Sequence, residues 1–457
     1  MNYSKRNNEE LYPYQRFGAS WLATKTLALL ADEMGLGKSA QAIHAADKAG
    51  CNRVLVICPA AARVNWAREF ERFSDSKRTF QILESSRTAI ENTSSLILSY
   101  DLASRIQAHK LGSFDLCIAD ESHFLKGRES KRTTAILGVN GHIRICKRFW
   151  ALSGTPAPNH FGEMWPILYT FGVTSLPYSQ FINRYCTYYE WKNRLVVTGT
   201  KSSMIAEIKS TLTRIMLRRK KEEVMKELPP ITYSHVLIPP GKVDLEVDIS
   251  FVKYVTPIDT TSELQKILDK EKFLLEETLA RTGLGEDGMK LLEGMAKSVS
   301  TLRRYTGLQK VEPVAEIISQ ELEANAYEKI VIFAIHRGVI EGLRVKLAKF
   351  GAVTLYGGTS PETRQRNIDL FQNSPKTRVF IGNIQSAGTA ITLTAAHQVV
   401  FAESEWVPAS MAQAAMRCHR IGQTKNVSVR FFALSNSIDE RISTVLKRKT
   451  KELTDIF

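Results

Sequence analysis

The chain has 457 residues, 44% hydrophobic and 24% charged, which is globular composition with apolar side chain for more than one core and excludes a small disulfide scaffold or a disordered chain. Lys plus Arg number 62 against 47 for Asp plus Glu, a net charge of +15, which points to a polyanionic partner, nucleic acid ahead of an anionic membrane surface. No stretch reaches the roughly 18 to 20 apolar residues of a membrane span, MNYSKRNNEE has no signal-peptide core and the six cysteines form no CxxC, so a soluble, intracellular protein of a reducing compartment is expected.

Short apolar runs alternate with stretches of helical period, the pattern of parallel sheets covered by helices. The segment LLADEMGLGKSAQAI (29–43) sets a Gly-rich turn between an apolar run and a helix opening at Lys38 and Ser39. Such a turn suits phosphate: backbone N–H groups approach the oxygens, Lys38 meets the β/γ-phosphates and Ser39 ligates Mg²⁺. Asp32 stands where the generic GxxxxGK[ST] pattern has its first glycine, leaving Gly35 and Gly37. A flexible turn with a surface lysine is the alternative.

Strand-like runs follow at 54–58 (VLVIC), 96–99 (LILS), 116–119 (LCIA) and 149–152 (FWAL). LCIADESHF (116–124) ends its strand in two carboxylates. Asp120 is placed to hold Mg²⁺, directly or through water, and Glu121 to orient and deprotonate a water attacking the γ-phosphate. A solvated Asp-Glu pair opening a helix is the plainer alternative. Next come the basic segment MLRRKKEEVMKELPP (216–230) and a charged stretch to about residue 310, whose TSELQKILDKEKFLLEETLA (261–280) has helical period. Arg218, Arg219, Lys220 and Lys221 either touch phosphate or brace the lobes. The domain boundary is set here, giving 1–230 and 231–457, with a helical insertion at about 245–310.

The second half repeats the strand style at 330–335, 353–356, 379–382, 399–402 and 427–434, so two doubly wound α/β lobes are expected. In MAQAAMRCHRIGQTK (411–425) a helix would place Gln413, Arg417 and Arg420 on one face, aiming two guanidiniums at one anion. A basic exposed helix face is the alternative, and His419 is read as a structural neighbour rather than a metal ligand.

In order and content these residues resemble the SWI/SNF-like ATP-dependent DNA translocases of helicase superfamily 2 across nearly the whole chain. LYPYQRFGASWL (11–22) is similar to that family's opening motif, ADEMGLGKS to motif I, VLVICPAAARVNWAREF (54–70) to Ia, ILSYD (97–101) to Ib and DESH (120–123) to II. LSGTP (152–156) is similar to motif III, IVIFA (330–334) to IV, GTAITLTAA (388–396) to V and QAAMRCHRIGQ (413–423) to VI. The stretches 305–318 and 356–372 look most like the annealing, fork-remodelling branch.

The resemblance implies an α/β fold of two RecA-like doubly wound parallel-sheet lobes with helical insertions, and ATP and Mg²⁺ as cofactors. It implies that Gln15 contacts adenine, that Gly35, Leu36, Gly37, Lys38 and Ser39 cradle phosphate, and that Ser39 and Asp120 hold the metal. Glu121 and Lys38 are then catalytic, Arg417 and Arg420 are fingers, and His123, Ser153, Thr155, Gln413 and Gly388 couple the lobes. Ala387, Ala390 and Thr392 depart from the residues common in motif V. The function implied is movement on double-stranded DNA, without sequence reading, that remodels joints, forks or protein–DNA complexes. A strand-separating DNA or RNA helicase and a nucleotide-gated DNA-binding scaffold are the other readings. A monomer of bacterial or phage type, cytoplasmic, is expected, with a nuclear location left open.

Overall fold

The computed structural model describes residues 11–238, apart from 77, 92, 192, 193 and 226, and 303–435, apart from 305, 388–390, 406 and 407. The segment 261–280, read above as helices, lies outside the described residues, as does Gly388. The chain divides into two compact units, one built mainly on residues up to 187 and 200–227, the other on 188–199 and the residues from 228 on.

The first unit holds β1 (Leu27–Leu30), β2 (Val54–Cys58), β3 (Phe80–Ile82), β4 (Ser95–Ser99), β5 (Phe114–Asp120) and β6 (Cys146–Leu152). A hairpin, β7 (Cys186–Trp191) and β8 (Arg194–Thr200), forms a separate two-stranded sheet, and β9 (Met216–Leu217) returns to the main one. The main sheet runs β3-β4-β2-β5-β6-β1-β9 with every pair parallel. Both faces of such a sheet are covered, which is why β2 and β4 are buried at every residue and read as unbroken apolar runs. Helices α1 (Pro13–Ala23), α2 (Lys38–Lys48) and α3 (Arg63–Phe73) belong to this unit.

Register decides where chemistry can gather. Leu30 of β1 lies opposite Leu152 of β6 and Leu217 of β9, and Leu152 lies opposite Asp120 of β5. The chain therefore leaves four strands at one level of the carboxyl edge, in the segments that begin at Ala31, Glu121, Ser153 and Arg218. That edge is where open α/β sheets bind ligands.

The second unit's sheet comprises β10 (Ile231–Ile238), β11 (Ile330–Ala334), β12 (Val353–Leu355), β13 (Val379–Asn383), β14 (Gln398–Phe401) and β15 (Val427–Leu434), ordered β10-β15-β14-β11-β13-β12 and again parallel. Alternate residues feed opposite faces. Val331, Phe333, Val399 and Phe401 enter one core, and Ile330, Ile332, Ala334 and Val400 enter the other with Val314 and Ile318 of the helix Val311–Glu323. Among the described residues no helix is long and apolar enough to cross a membrane.

Candidate active site

The segment 31–37 leaves β1 and enters α2 through left-handed backbone at Gly35 (φ 87°) and Gly37 (φ 72°), conformations that glycine adopts without strain. Gly37 also leaves room for a neighbour, since a Cβ there would lie 2.4 Å from Gln15 Nε2. The buried Leu36 turns its carbonyl toward three donors, Gln15 Nε2 at 3.1 Å, Tyr14 Oη at 3.2 Å and Gln41 Nε2 at 3.2 Å. Gln15 is itself buried and accepts from the Tyr12 N–H at 3.0 Å. The residue to which the resemblance assigns adenine thus also supports the loop.

Lys38 curls into the loop and donates from Nζ to the Asp32 carbonyl at 2.8 Å and the Glu33 carbonyl at 3.4 Å. Burial lowers its pKa, while the carboxylates of Glu121, Asp32 and Asp120 work the other way. Ser39 follows as the second residue of α2. From the neighbouring loop, Gly154 passes close to both the loop and the lysine: a Cβ there would lie 2.6 Å from Met34 Cγ and 3.2 Å from Lys38 Nζ.

At the end of β5, Asp120 accepts from Trp66 Nε1 at 2.8 Å and from the Glu121 N–H at 2.9 Å, and Tyr100 donates to its carbonyl at 2.8 Å. Burial, then the neighbouring Glu121 charge, push the Asp120 carboxyl up to about 6. Glu121 has φ 52°, a strained value for a residue with a side chain. This places it beside His123, whose Nδ1 lies 3.4 Å from Glu121 Oε2 and 3.2 Å from Ser153 Oγ. Burial lowers the His123 pKa to about 4, so the ring is neutral at pH 7. Ser153 Oγ also accepts from the Thr155 N–H at 3.2 Å. One short chain of polar groups therefore joins Glu121 to the loop after β6.

Asp32, the departure from the generic pattern, is fully buried, and the basic segment explains it. Arg219 donates from Nε to Asp32 Oδ1 at 3.0 Å, from Nη2 to Asp32 Oδ2 and to Gln41 Oε1 (2.8 Å), and from Nη1 to the Tyr14 carbonyl. Arg218 donates from Nη1 to the carbonyls of Ala31 at 2.7 Å and Gly154 at 3.1 Å. Within their own unit, both arginines brace the Gly-rich loop.

Sequence reasoning missed Trp66, Tyr100, Gln41 and the Arg219–Asp32 pair. The one signal was Asp32 itself, an ionisable residue in place of a glycine. Its partner stands 187 positions away.

In the second unit Gln413 is buried on the helix Pro408–Ala415. That helix stops before Arg417 and Arg420, so the shared helical face read from their spacing does not form. Non-local bonds end it: the Leu393 N–H donates to the Arg417 carbonyl at 2.9 Å, and Gln423 Nε2 donates to the carbonyls of Cys418, Ala396 and Thr394 at 3.2, 2.9 and 3.2 Å. Arg420 donates from Nη1 to the Ile391 carbonyl at 3.2 Å. His419 Nε2 lies 2.7 Å from the Pro229 carbonyl, a structural contact.

A family model described as SNF2-related domain matches residues 14–275, more than half of the chain, and one described as Helicase conserved C-terminal domain matches 309–422. Over 97% of its length the chain is 29% identical to the SWI/SNF-related matrix-associated actin-dependent regulator of chromatin subfamily A-like protein 1 of Xenopus tropicalis, spanning 44% of that relative. It is 27% identical to the DNA annealing helicase and endonuclease ZRANB3 of Bos taurus, over 97% of this chain and 40% of that protein. The chain thus spans under half the length of these relatives. Among solved structures it is similar to the Sulfolobus solfataricus SWI2/SNF2 ATPase core in complex with dsDNA, at 23% identity and TM-score 0.44, over 99% of this chain and 93% of that one.

Proposed function

The chain belongs to the SNF2-related domain family, and from that premise we propose that it is a DNA-dependent ATPase that moves on double-stranded DNA and remodels joints, forks or protein–DNA complexes. The observation that carries this reading is the meeting of the Gly-rich loop, Lys38, the Asp120–Glu121 pair and Ser153 at one edge of the first sheet. The residues fit a magnesium nucleotide. Left-handed glycines open the loop at the N-terminus of an 11-residue helix, and Lys38 presents a desolvated ammonium there. Mg²⁺ typically takes one or two protein oxygens and draws the rest from phosphate and water. Ser39 and Asp120 supply that number, and the metal would neutralise charge on the β- and γ-phosphate oxygens.

Each side chain then has a task. Lys38 binds phosphate, Glu121 accepts the proton of the attacking water, and neutral His123 reports the state of Glu121 to Ser153. Gln15 contacts adenine from its seat on the loop. Gln413, Arg417 and Arg420, carried by the second unit, supply its share of the same chemistry, which is what couples hydrolysis to movement. Gly388 and Thr155 act in that coupling. Support for DNA comes from the net charge of +15 and from a relative named as a DNA annealing helicase. Cationic contacts to phosphates hold any sequence, and they weaken with salt.

The test is ATP turnover against duplexes, forks, junctions, single strands and RNA, with triplex displacement run beside strand separation. Duplex-stimulated turnover and third-strand release without unwinding are expected. Glu121→Gln should keep nucleotide binding and lose about 10²- to 10⁴-fold in turnover. Unchanged turnover in that variant would remove Glu121 as the base.

A further inference from the structure

The short strand β9 does more than widen the sheet. The Leu29 N–H donates to the Ile215 carbonyl at 2.8 Å, Ala31 to Leu217 at 2.7 Å and Glu33 to Arg219 at 3.0 Å. The Lys221 N–H donates back to Glu33 Oε2 at 2.7 Å. The parallel ladder thus runs on past the end of β1 into the Gly-rich loop itself. Two guanidiniums lock it there, Arg218 on the Ala31 and Gly154 carbonyls and Arg219 on Asp32, Gln41 and Tyr14. At residue 228, nine positions beyond Arg219, the chain passes into the second unit.

The packing around this junction has no slack. A Cβ at Gly18 of α1 would lie 1.9 Å from Gln41 Oε1 and 2.6 Å from Arg219 Nη2. Glycine inside a helix is unfavourable, so its presence here answers to a neighbour, and that neighbour is the Arg219–Gln41 contact. The Arg219–Asp32 pair is bidentate and almost wholly buried, a geometry that lysine cannot reproduce.

We propose that Arg219 is a positioning residue for the phosphate loop, and that through it the segment 215–221, on its way out of the first unit, senses whether the loop is occupied. This rests on the nucleotide-binding reading and deepens it. The guanidinium touches no reacting group. It fixes Asp32, and with it the two carbonyls that hold Lys38. A change at the loop then shifts the ladder partners of 31–33, and a pull on 220–227 shifts the loop.

Three full-length variants test it. Gly18→Ala displaces the heads of Gln41 and Arg219 without changing a charge or a loop residue, and it favours the helix. Arg219→Lys keeps the charge and loses the fork. The double change Asp32→Asn with Arg219→Gln keeps hydrogen bonding without ions. For Gly18→Ala and Arg219→Lys we expect the KM for ATP to rise about five- to tenfold with kcat within about twofold, and for the double change a partial return toward the parent KM. Hydrogen exchange with Mg²⁺ and a slowly hydrolysed thio analogue of ATP reads the coupling. In the parent protein 33–39 and 215–221 should be protected together, and in Arg219→Lys only 33–39. No protection of 33–39 in the parent would sink the nucleotide reading. Protection of 33–39 in the parent, with an unchanged KM in Gly18→Ala or equal protection of 215–221 in Arg219→Lys, would sink the positioning role alone.

Discussion

The loop after β1 and the segment after the helix Pro408–Ala415 carry the cations of the proposed chemistry, yet they are held by opposite means. The first is fixed by ions: Asp32, fully buried, takes the fork of Arg219, and Arg218 ties two carbonyls. In the second, a neutral amide orders the backbone. The buried Gln423 amide donates to three carbonyls and accepts from the N–H groups of Thr424 and Lys425. A buried ion pair imposes one geometry and is intolerant of losing a partner. An amide lock orders backbone without adding charge beside the guanidiniums of Arg417 and Arg420. On the proposed reading, a stationary phosphate cradle is built on internal charge, whereas the loop whose arginines would serve another group is held without it.

Activity separates the two loops most strongly. Arg420→Ala should lower turnover by on the order of 10³ or more, because a finger acts on transition-state charge. The bond it donates to the Ile391 carbonyl is a modest contribution to the fold. A variant that hydrolyses ATP normally with DNA present would end the finger role. One that unfolds instead would mean that the arginine serves the scaffold, and the contrast between the two loops would vanish.

Stability separates the two locks next. Arg219→Ala strands the Asp32 carboxylate, whose side chain is 0% exposed, and should cost the first unit about 3–5 kcal/mol. Gln423→Ala strands several buried backbone groups and should cost the second unit about 3 kcal/mol, the upper part of the range for one buried unsatisfied group. Urea unfolding followed by probes in each unit reads both, and two transitions are expected because two units need not melt together. Both losses in one transition would show that the locks are not local.

The strands of both sheets were legible wherever parallel neighbours bury both faces, as in VLVIC, LILS and IVIFA. They were less legible at an edge, where β12 was read at 353–356 but β10 and β9 were not. β10 carries ITYSHVLI with its middle four residues partly or wholly exposed, and β9 is only two residues long. The loop residues Gly35, Gly37 and Lys38 and the pair Asp120 and Glu121 were legible because each sits in one short run. Trp66 and Arg219 were not, since each meets its carboxylate across 54 and 187 positions. The helix read through Arg417 failed for the same reason. Its end is set by bonds from Leu393 and by the grip of Gln423, which spacing alone does not contain.

The smallest expected effect concerns a charge that the first unit excludes. His123 sits among Lys38, Lys126, Asp120 and Glu163, and burial, then Lys126, lower its pKa from 6.5 to about 4. Between those values the unfolded chain binds a proton that the folded one does not. Stability is therefore complete above about 6.5 and declines as the pH falls toward 4, with a loss of about 2 kcal/mol at pH 5 relative to pH 8. His123→Gln keeps a hydrogen-bonding amide near Ser153 and removes the titration, so unfolding of the first unit should lose about 2 kcal/mol less over that interval than in the parent protein. The second unit's transition should be indifferent to the change. If parent and variant lose the same stability between pH 8 and pH 5, His123 is not held neutral by its surroundings, and the polar chain from Glu121 to Ser153 passes through an imidazolium instead.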